Sequence, residues 1–477
     1  MKKNILLIMT DQHRWDYTGY SGQGKIQTPN IDKIAAGASF SCCQTSNPIC
    51  QPARTALLTG RYSHQIGTLS MSGDLNRQIP TFLHALQKNG YFTAASGKLH
   101  YLQYTWGGTA GLVKLDLTAI KDEIKKYGFD ELWEAAGKQL LNHSYCDYRA
   151  YLEKKGLYNL YLDSVIAAGG NGATPDFPED KGLPCVLPEN DYIDIVTTDM
   201  MLSQLDNRPE DKPFFAFCSL SSPHKPFDPP KRYLDMIPYE EIDDFIPGER
   251  ALTDAEKKRL YVKRRAYKAM ILLIDRQVGR LIDYLDEKNL LDDTVIIFTA
   301  DHGEMMGDHF RIQKMLPWKA SSTIPLAIRH PDYITGRACS SAVELTDVTA
   351  TILDIAGLDP QRALAKDWPA FNAQIPAKSL MPMIKGEAVS VRAFSFTEFD
   401  GDWQMLQTDR FKYIKYLKTE SPDVRNEALY DLVNDPDETN NLAASKNHFN
   451  LMEWFRRRRE YLLDTTQPAQ TSWADYA

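Results

Sequence analysis

Cys50 stands in the run Asn47-Pro48-Ile49-Cys50-Gln51-Pro52-Ala53-Arg54, followed by Thr55-Ala56-Leu57-Leu58-Thr59-Gly60. Pro52 suits a first helical turn, where its missing N–H costs nothing, and Gly60 is a natural stop. The spacing therefore predicts a helix that begins at Cys50. Its free N–H groups and macrodipole favour an anion there. Arg54, one turn on, lies on the same face. A thiol, a guanidinium and a helix N-terminus together suit a reactive group facing a tetrahedral oxyanion such as sulfate or phosphate. The plainer reading is a buried cysteine at an ordinary loop-to-helix junction.

Two acidic pairs stand at the ends of apolar runs. Asn4–Met9 leads into Thr10-Asp11-Gln12, and Thr294–Thr299 leads into Ala300-Asp301-His302-Gly303-Glu304. In open α/β sheets, sites form at the carboxyl ends of strands. Asp11, Gln12 and Asp301 offer hard oxygen ligands for a divalent cation, and His302 adds a nitrogen. Either pair alone could simply cap a neighbouring helix. Two at strand ends favour a shared metal.

Two more loops carry candidate groups. Ser96-Gly97-Lys98-Leu99-His100 follows the run Phe92–Ala95, and Ser222-Pro223-His224-Lys225-Pro226 follows Phe214–Leu220. Lys98 offers a cation for an anionic oxygen, and His100 a proton carrier near neutral pH. The flanking prolines hold His224 in place. Lys314 follows in Gly307-Asp308-His309-Phe310-Arg311-Ile312-Gln313-Lys314. His64 and His309 receive no role from their surroundings in sequence.

The elements that position these groups read as α/β. The apolar runs Asn4–Met9, Phe92–Ala95, Phe214–Leu220, Thr294–Thr299 and Ile324–Ile328 are expected as buried parallel strands alternating with helices. A long helix is predicted from the Thr253/Glu256 capping box to about Leu285, with Ile271, Leu272, Ile274, Val278 and Leu281 at helical spacing. Another covers Thr346–Gly357. An irregular segment, about 104–190, reads as an insertion shaping the pocket, and the aromatic residues Tyr101, Tyr104 and Trp106 around its start could stack on a sugar face. The large catalytic α/β domain is taken as 1–376. Residues 377–477 read as a smaller subdomain with an antiparallel sheet (Ala393–Phe396, Met405–Gln407, Phe411–Tyr416) and a final helix near Phe449–Leu463.

With 477 residues, 43% hydrophobic, the chain can bury a large core. Its net charge of −8 argues against a general nucleic-acid binder. No apolar run approaches the roughly 18 residues of a membrane span. The apolar stretch near the N-terminus is too short for a signal peptide and is better explained as a buried strand. Seven cysteines form no C-x-x-C pair and no even framework, which reads as a reducing, cytoplasmic setting. Cys42 and Cys43 read as small residues beside the core. The Arg456–Arg459 run is read as a solvated helix face or a subunit contact, and the oligomeric state is not legible.

These motifs resemble the formylglycine-dependent sulfatases of the alkaline phosphatase superfamily. Cys50-Gln51-Pro52-Ala53-Arg54 resembles their C-x-P-x-R signature, Gly97–His100 their G-K-x-H element and Pro223–Pro226 their P-H-x-P histidine. Thr28–Asp32 and Glu427–Leu442 extend the resemblance toward both ends. It implies an alkaline phosphatase-like fold, a formylglycine (3-oxoalanine) made from Cys50 by a formylglycine-generating enzyme, and one divalent cation held by Asp11, Gln12, Asp301, His302 and the modified Cys50. Calcium is the family's usual ion. Gln12 and His302, where many members have Asp and Asn, admit manganese or magnesium. The implied reaction is hydrolysis of a sulfate monoester, with a carbohydrate as the expected alcohol. One hydroxyl of the hydrated aldehyde attacks sulfur, and loss of a proton from the other releases sulfate. Arg54, Lys98 and Lys314 would offset charge on sulfate, Asp301 would take the attacking proton, His224 would protonate the leaving alcohol, and His100 would act in the collapse. Phosphonate monoester hydrolases and related phosphodiesterases share the Pro-Ala-Arg form and the Asp-Gln pair and are the nearest rival. A protein whose Cys50 stays a thiol, binding sulfated sugars without turnover, is the other.

Overall fold

The structure is a computed structural model that describes residues 2–103, 115–167, 182–248, 252–365, 374–418 and 426–466. Its main sheet has nine strands: β1 (Asn4–Asp11), β2 (Ala38–Gln44), β3 (Phe92–Gly97), β4 (Glu131–Glu134), β5 (Phe214–Pro223), β6 (Thr294–Ala300), β7 (Thr323–Arg329), β8 (Arg337–Cys339) and β9 (Val343–Glu344). They lie in the order β8-β2-β7-β6-β1-β5-β3-β4, with β9 also beside β2. Strands β1, β3, β5 and β6 are buried almost throughout, as sheets covered on both faces require. The helices include α1 (Pro29–Ala35), α2 (Cys50–Thr59), α3 (Ile193–Asp206), α4 (Asp254–Glu287) and α5 (Leu345–Ile355). The Thr253/Glu256 capping box opens α4 as expected. No helix among the described residues is long and apolar enough to cross a membrane.

Register brings the chemistry to one edge. Ile5 pairs in parallel with both Phe215 and Val295, and Thr10 is opposite Ala300. Asp11 and Asp301 therefore leave adjacent strands at the same level. Gly97 pairs with Ser219, so Lys98 emerges beside them.

One strand departs from expectation. The run Ile324–Ile328 forms β7, which is antiparallel to β6 and to β2. An apolar run marks burial but carries no direction. Two reversals leave β2 parallel to β6, so β2 also ends at the site edge and hands the chain directly to Cys50. Strand β2 contains both Cys42 and Cys43, and both are buried.

The main core takes buried apolar side chains from Ile5 to Ile384. The small sheet, β10 (Ser395–Phe399), β11 (Trp403–Gln407), β12 (Phe411–Tyr416) and β13 (Glu427–Asp431), is antiparallel throughout. One face, through Phe396, Leu406, Tyr413 and Leu429, packs on α6 (Phe449–Thr466) by way of Met452 and Phe455. The other face, through Trp403, Met405 and Ile414, packs on Ile49, Met71 and Met315. His64 pins the two parts together: Nδ1 meets Glu398 Oε1 at 2.8 Å and Nε2 meets Thr466 Oγ1 at 2.9 Å. In the Arg456–Arg459 run, Arg456 pairs with Glu427 and Glu453, and Arg459 donates to Gln404.

Candidate active site

Helix α2 begins at Cys50, and Gly60 ends it in the left-handed conformation (φ 65°). Cys50 Sγ lies 3.6 Å from Asp11 Oδ1, 3.2 Å from His302 Nε2 and 3.2 Å from Lys314 Nζ. Ligand atoms of Asp11, Cys50, Asp301 and His302 lie within 4.8 Å of one another, all buried. His302 Nδ1 is 2.9 Å from the Gly303 carbonyl, which can only accept, so Nδ1 carries the hydrogen. Nε2 is then the ring nitrogen turned toward the carboxylates, the atom a metal-ligating histidine would offer. The amide of Gln12 is oriented in the same way. Its Nε2 donates to Glu304 and its Oε1 accepts from Lys314 Nζ at 2.8 Å. Gln12 thus adjoins the cluster with its oxygen inward. The donor set fits a divalent cation.

Arg54 organises this cluster from behind. Its Nε donates to Asp301 Oδ2 at 2.8 Å, and its Nη1 donates to the Lys98 carbonyl at 2.5 Å and to Ser219 Oγ at 2.8 Å. Its Nη2 has no hydrogen-bond partner among the described residues and lies 3.6 Å from Asp11 Oδ2. Asp301 Oδ1 accepts from the backbone N–H groups of Gln12 and His302, each at 2.9 Å. Lys98 Nζ is paired with Asp11.

Above the cluster opens a cavity of about 240 Å³, lined by Asp11, Cys50, Lys98, His100, His224 and Lys314 among others. Of the residues expected from sequence, those six reach the cavity, while Gln12, Arg54, Asp301 and His302 stand directly behind its wall. The lining also includes the apolar side chains Ile49, Met71, Leu140 and Met315. Tyr101 is not part of it. It is buried and packs against the rings of Tyr127 and Phe129, in the core rather than on a sugar-binding face. Tyr104 and Trp106 lie outside the described residues. His309 stacks on Trp318, away from the cavity wall.

The electrostatics follow from burial against paired charge. Burial alone would raise the Asp11 carboxyl, but Lys98, His224, Arg54 and Lys314 outweigh it and hold Asp11 well below the usual carboxylate range. Burial and Asp11 push the Cys50 thiol up, and Lys314, Lys98 and His302 more than offset them, so it ends lowered. Burial and neighbouring lysines hold His100 and His224 well below the ordinary histidine value.

Some residues of the site carried little signal. Thr45 Oγ1 donates to the Asp301 carbonyl at 2.5 Å, and Ser219 braces Arg54. Lys138 and Gln139 reach the cavity from the irregular segment, where no periodicity marks them. Glu304 was legible by its place after Asp301-His302-Gly303, yet its partner Gln12 is 292 residues away.

The model of the sulfatase family matches residues 3–358. The chain belongs to the sulfatase family. A second family model, for the C-terminal part of N-sulphoglucosamine sulphohydrolase, matches residues 307–464. This sulfatase is 28% identical to an arylsulfatase of Clostridium perfringens, over 96% of this chain and 93% of that one. It is 25% identical to an N-acetylglucosamine-6-O-sulfatase of Bacteroides thetaiotaomicron, over 98% of this chain and 86% of the relative. Its fold is similar to that of a phosphonate monoester hydrolase of Agrobacterium radiobacter, with a TM-score of 0.76 and 22% identity, covering 98% of this chain and 96% of the other. The chain is accordingly a sulfuric ester hydrolase with an alkaline phosphatase-like architecture.

Proposed function

We propose that this sulfatase removes sulfate from a small carbohydrate monoester, with Cys50, converted to formylglycine, as the source of the nucleophile. The observation that carries this reading is the convergence on Cys50 Sγ of the Asp11/Asp301/His302 cluster and Lys314. Asp11, Gln12, Asp301, His302 and the modified Cys50 would hold the cation, proposed as calcium with manganese or magnesium as alternatives. Such an ion would supply Lewis acidity there, lowering the pKa of an oxygen nucleophile. Once oxidised and hydrated, Cys50 supplies a hydroxyl in place of its thiol.

The remaining groups receive roles from position. Lys98 and Lys314 flank the cavity floor and offset charge on the sulfate oxygens, and Arg54 Nη2 adds a donor from behind. Asp301 is held by Arg54 and two backbone N–H groups, with Oδ1 3.5 Å from His302 Nε2, and would receive the proton of the attacking group. His224 faces the cavity with Nδ1–H fixed on the Lys225 carbonyl at 2.8 Å, leaving Nε2 for the leaving oxygen. His100 also lines the cavity and serves sulfate release. Burial, and then Lys98 and Lys314, depress both histidines in the free protein. The charge of a bound sulfate ester opposes the lysines' share of that effect.

A carbohydrate leaving group is supported by the relative named as an N-acetylglucosamine-6-O-sulfatase. The cavity volume suits one ring more than a long chain. The phosphonate reading draws on the Asp11-Gln12 pair and the shared fold, but Lys98 and His100 in the cavity favour sulfate. The cysteines Cys42, Cys43, Cys50, Cys146, Cys185, Cys218 and Cys339 are all free, which supports a reducing, cytoplasmic setting. Turnover of the matured protein on a sulfated monosaccharide, an aryl sulfate and a phenyl phosphonate monoester tests the proposal. Sulfate release should dominate, whereas preferred cleavage of the phosphonate would transfer the assignment to the rival class.

A further inference from the structure

Lys138 is a charged side chain fully withdrawn from solvent, yet it belongs to neither the metal cluster nor the sulfate cradle. Its Nζ donates to the Pro226 carbonyl at 2.6 Å, to Asp228 Oδ1 at 2.8 Å and to Tyr192 Oη at 3.1 Å, with Met270 Sδ at 3.2 Å. Tyr192 Oη in turn meets Ser222 Oγ at 3.1 Å. Pro226, Asp228 and Ser222 bracket His224 on both sides. One ammonium therefore ties down both ends of the loop that presents His224 to the cavity. Asp194 supports the same loop from below, accepting from the N–H of Ser221 at 2.6 Å.

The other end of Lys138 is equally informative. It lines the cavity together with its neighbours Ala136, Gly137, Gln139 and Leu140. Gly137 has φ +99° and lies against the Lys98 side chain, whose Cδ would be 3.5 Å from an added Cβ. The segment 136–140 thus forms cavity wall on the Lys98 side while its only lysine grips the His224 loop. A buried ammonium is costly unless all its donors are used. Here each is spent on one loop and its support, and none is directed at the cavity floor.

We propose that Lys138, paired with Asp228, is the positioning residue that sets His224 against the leaving oxygen and couples the substrate-facing wall 136–140 to protonation of the leaving group. The inference rests on the reading of His224 as the group that protonates the leaving alcohol. Protonation matters most for a poor leaving group, and little for one that departs as a stable anion. A displacement of about 1 Å in a reacting group can cost on the order of 100-fold in rate. Loss of the clamp should therefore be selective among substrates.

The test is a series of aryl sulfates of graded leaving-group pKa, turned over by the matured enzyme and by the Lys138→Met, Asp228→Asn, Lys138→Arg and His224→Ala variants. Lys138→Met and Asp228→Asn should lose roughly 10- to 100-fold in kcat/KM on the poorest leaving groups and about 2-fold or less on 4-nitrophenyl sulfate. Lys138→Arg, which keeps the charge, should recover part of the loss. His224→Ala should show the same selectivity, larger. If Lys138→Met does not fold, Asp228→Asn carries the test alone. Equal loss across the series in these variants, with His224→Ala still selective, overturns the clamp and leaves the His224 reading intact. An unselective His224→Ala overturns that reading and the clamp with it.

Discussion

Gln12 and Glu304 are hydrogen-bonded through their side chains, and this bond decides which end of the Gln12 amide faces the metal cluster. Glu304 takes the amide N–H, so the oxygen turns toward Lys314 and Cys50. The other Glu304 oxygen accepts from the N–H groups of Met306 and Gln313. One carboxylate therefore orients a candidate ligand and holds the loop that delivers Lys314.

Replacing Glu304 by Gln removes that preference, because a neutral amide can bond to either end of Gln12. Outer groups of this kind typically change metal affinity by about 10- to 100-fold. We expect Glu304→Gln to weaken binding of calcium by that amount in a direct titration, with no substrate present. Unchanged affinity would show that Gln12 needs no such guide.

Arg54→Lys keeps a positive charge but cannot span Asp301, the Lys98 carbonyl and Ser219 at once, since the three bonds come from a planar fork. A fall in kcat on the order of 100-fold or more is expected, by analogy with loss of a preorganised donor. Steady-state kinetics on an aryl sulfate check it. Retention of most activity would reduce Arg54 to a simple countercharge.

Gly97 ends β3 with φ +108°, and an added Cβ would sit 1.9 Å from the Ser219 carbonyl oxygen. Both the backbone conformation and the space forbid a side chain. Gly97→Ala should destabilise the protein by roughly 2–4 kcal/mol and displace Lys98. Denaturant unfolding reads the first effect, and KM for a sulfate ester reads the second. A wild-type unfolding curve for this variant would contradict the packing described.

His13 is buried, with Nε2 2.9 Å from the Tyr17 carbonyl. Burial pushes its pKa down to about 4 from the ordinary 6.5. The folded state thus refuses a proton that the unfolded chain accepts. The stabilisation is complete above pH 6.5 and is lost as the pH falls from there toward 4. The shift corresponds to about 3 kcal/mol. Between pH 7 and pH 4 the wild type should lose about that much more unfolding free energy than His13→Gln. Parallel losses in the two proteins would show that His13 accepts its proton in the fold.

How much of this was legible depends on what each residue signals locally. Strands β1, β3, β5 and β6 declare themselves because burial on both faces makes them continuous apolar runs. The groups at their carboxyl ends follow from that alone. Strand β2 does not, since Ser39, Ser41 and Gln44 interrupt it, and yet it is what delivers Cys50 to the site edge. The direction of β7 was misread because apolarity has no polarity along the chain. Gln12 was visible as a candidate ligand and Glu304 by its place after Asp301-His302-Gly303, but the bond between them was not, and neither was the grip of Lys138. Both act through partners distant in sequence, in segments without periodicity. The cysteine motif and its resemblance located the chemistry, whereas the supporting bonds required the fold.

Oxidation of Cys50 to the nucleophile's precursor is tested by mass analysis of the Cys50 peptide from protein matured with a formylglycine-generating enzyme, with turnover measured on the same samples. Formylglycine or its hydrate is expected at Cys50, with sulfate release in proportion to the modified fraction and none from Cys50→Ala. Full turnover by protein carrying only the thiol, or by Cys50→Ala, would contradict it.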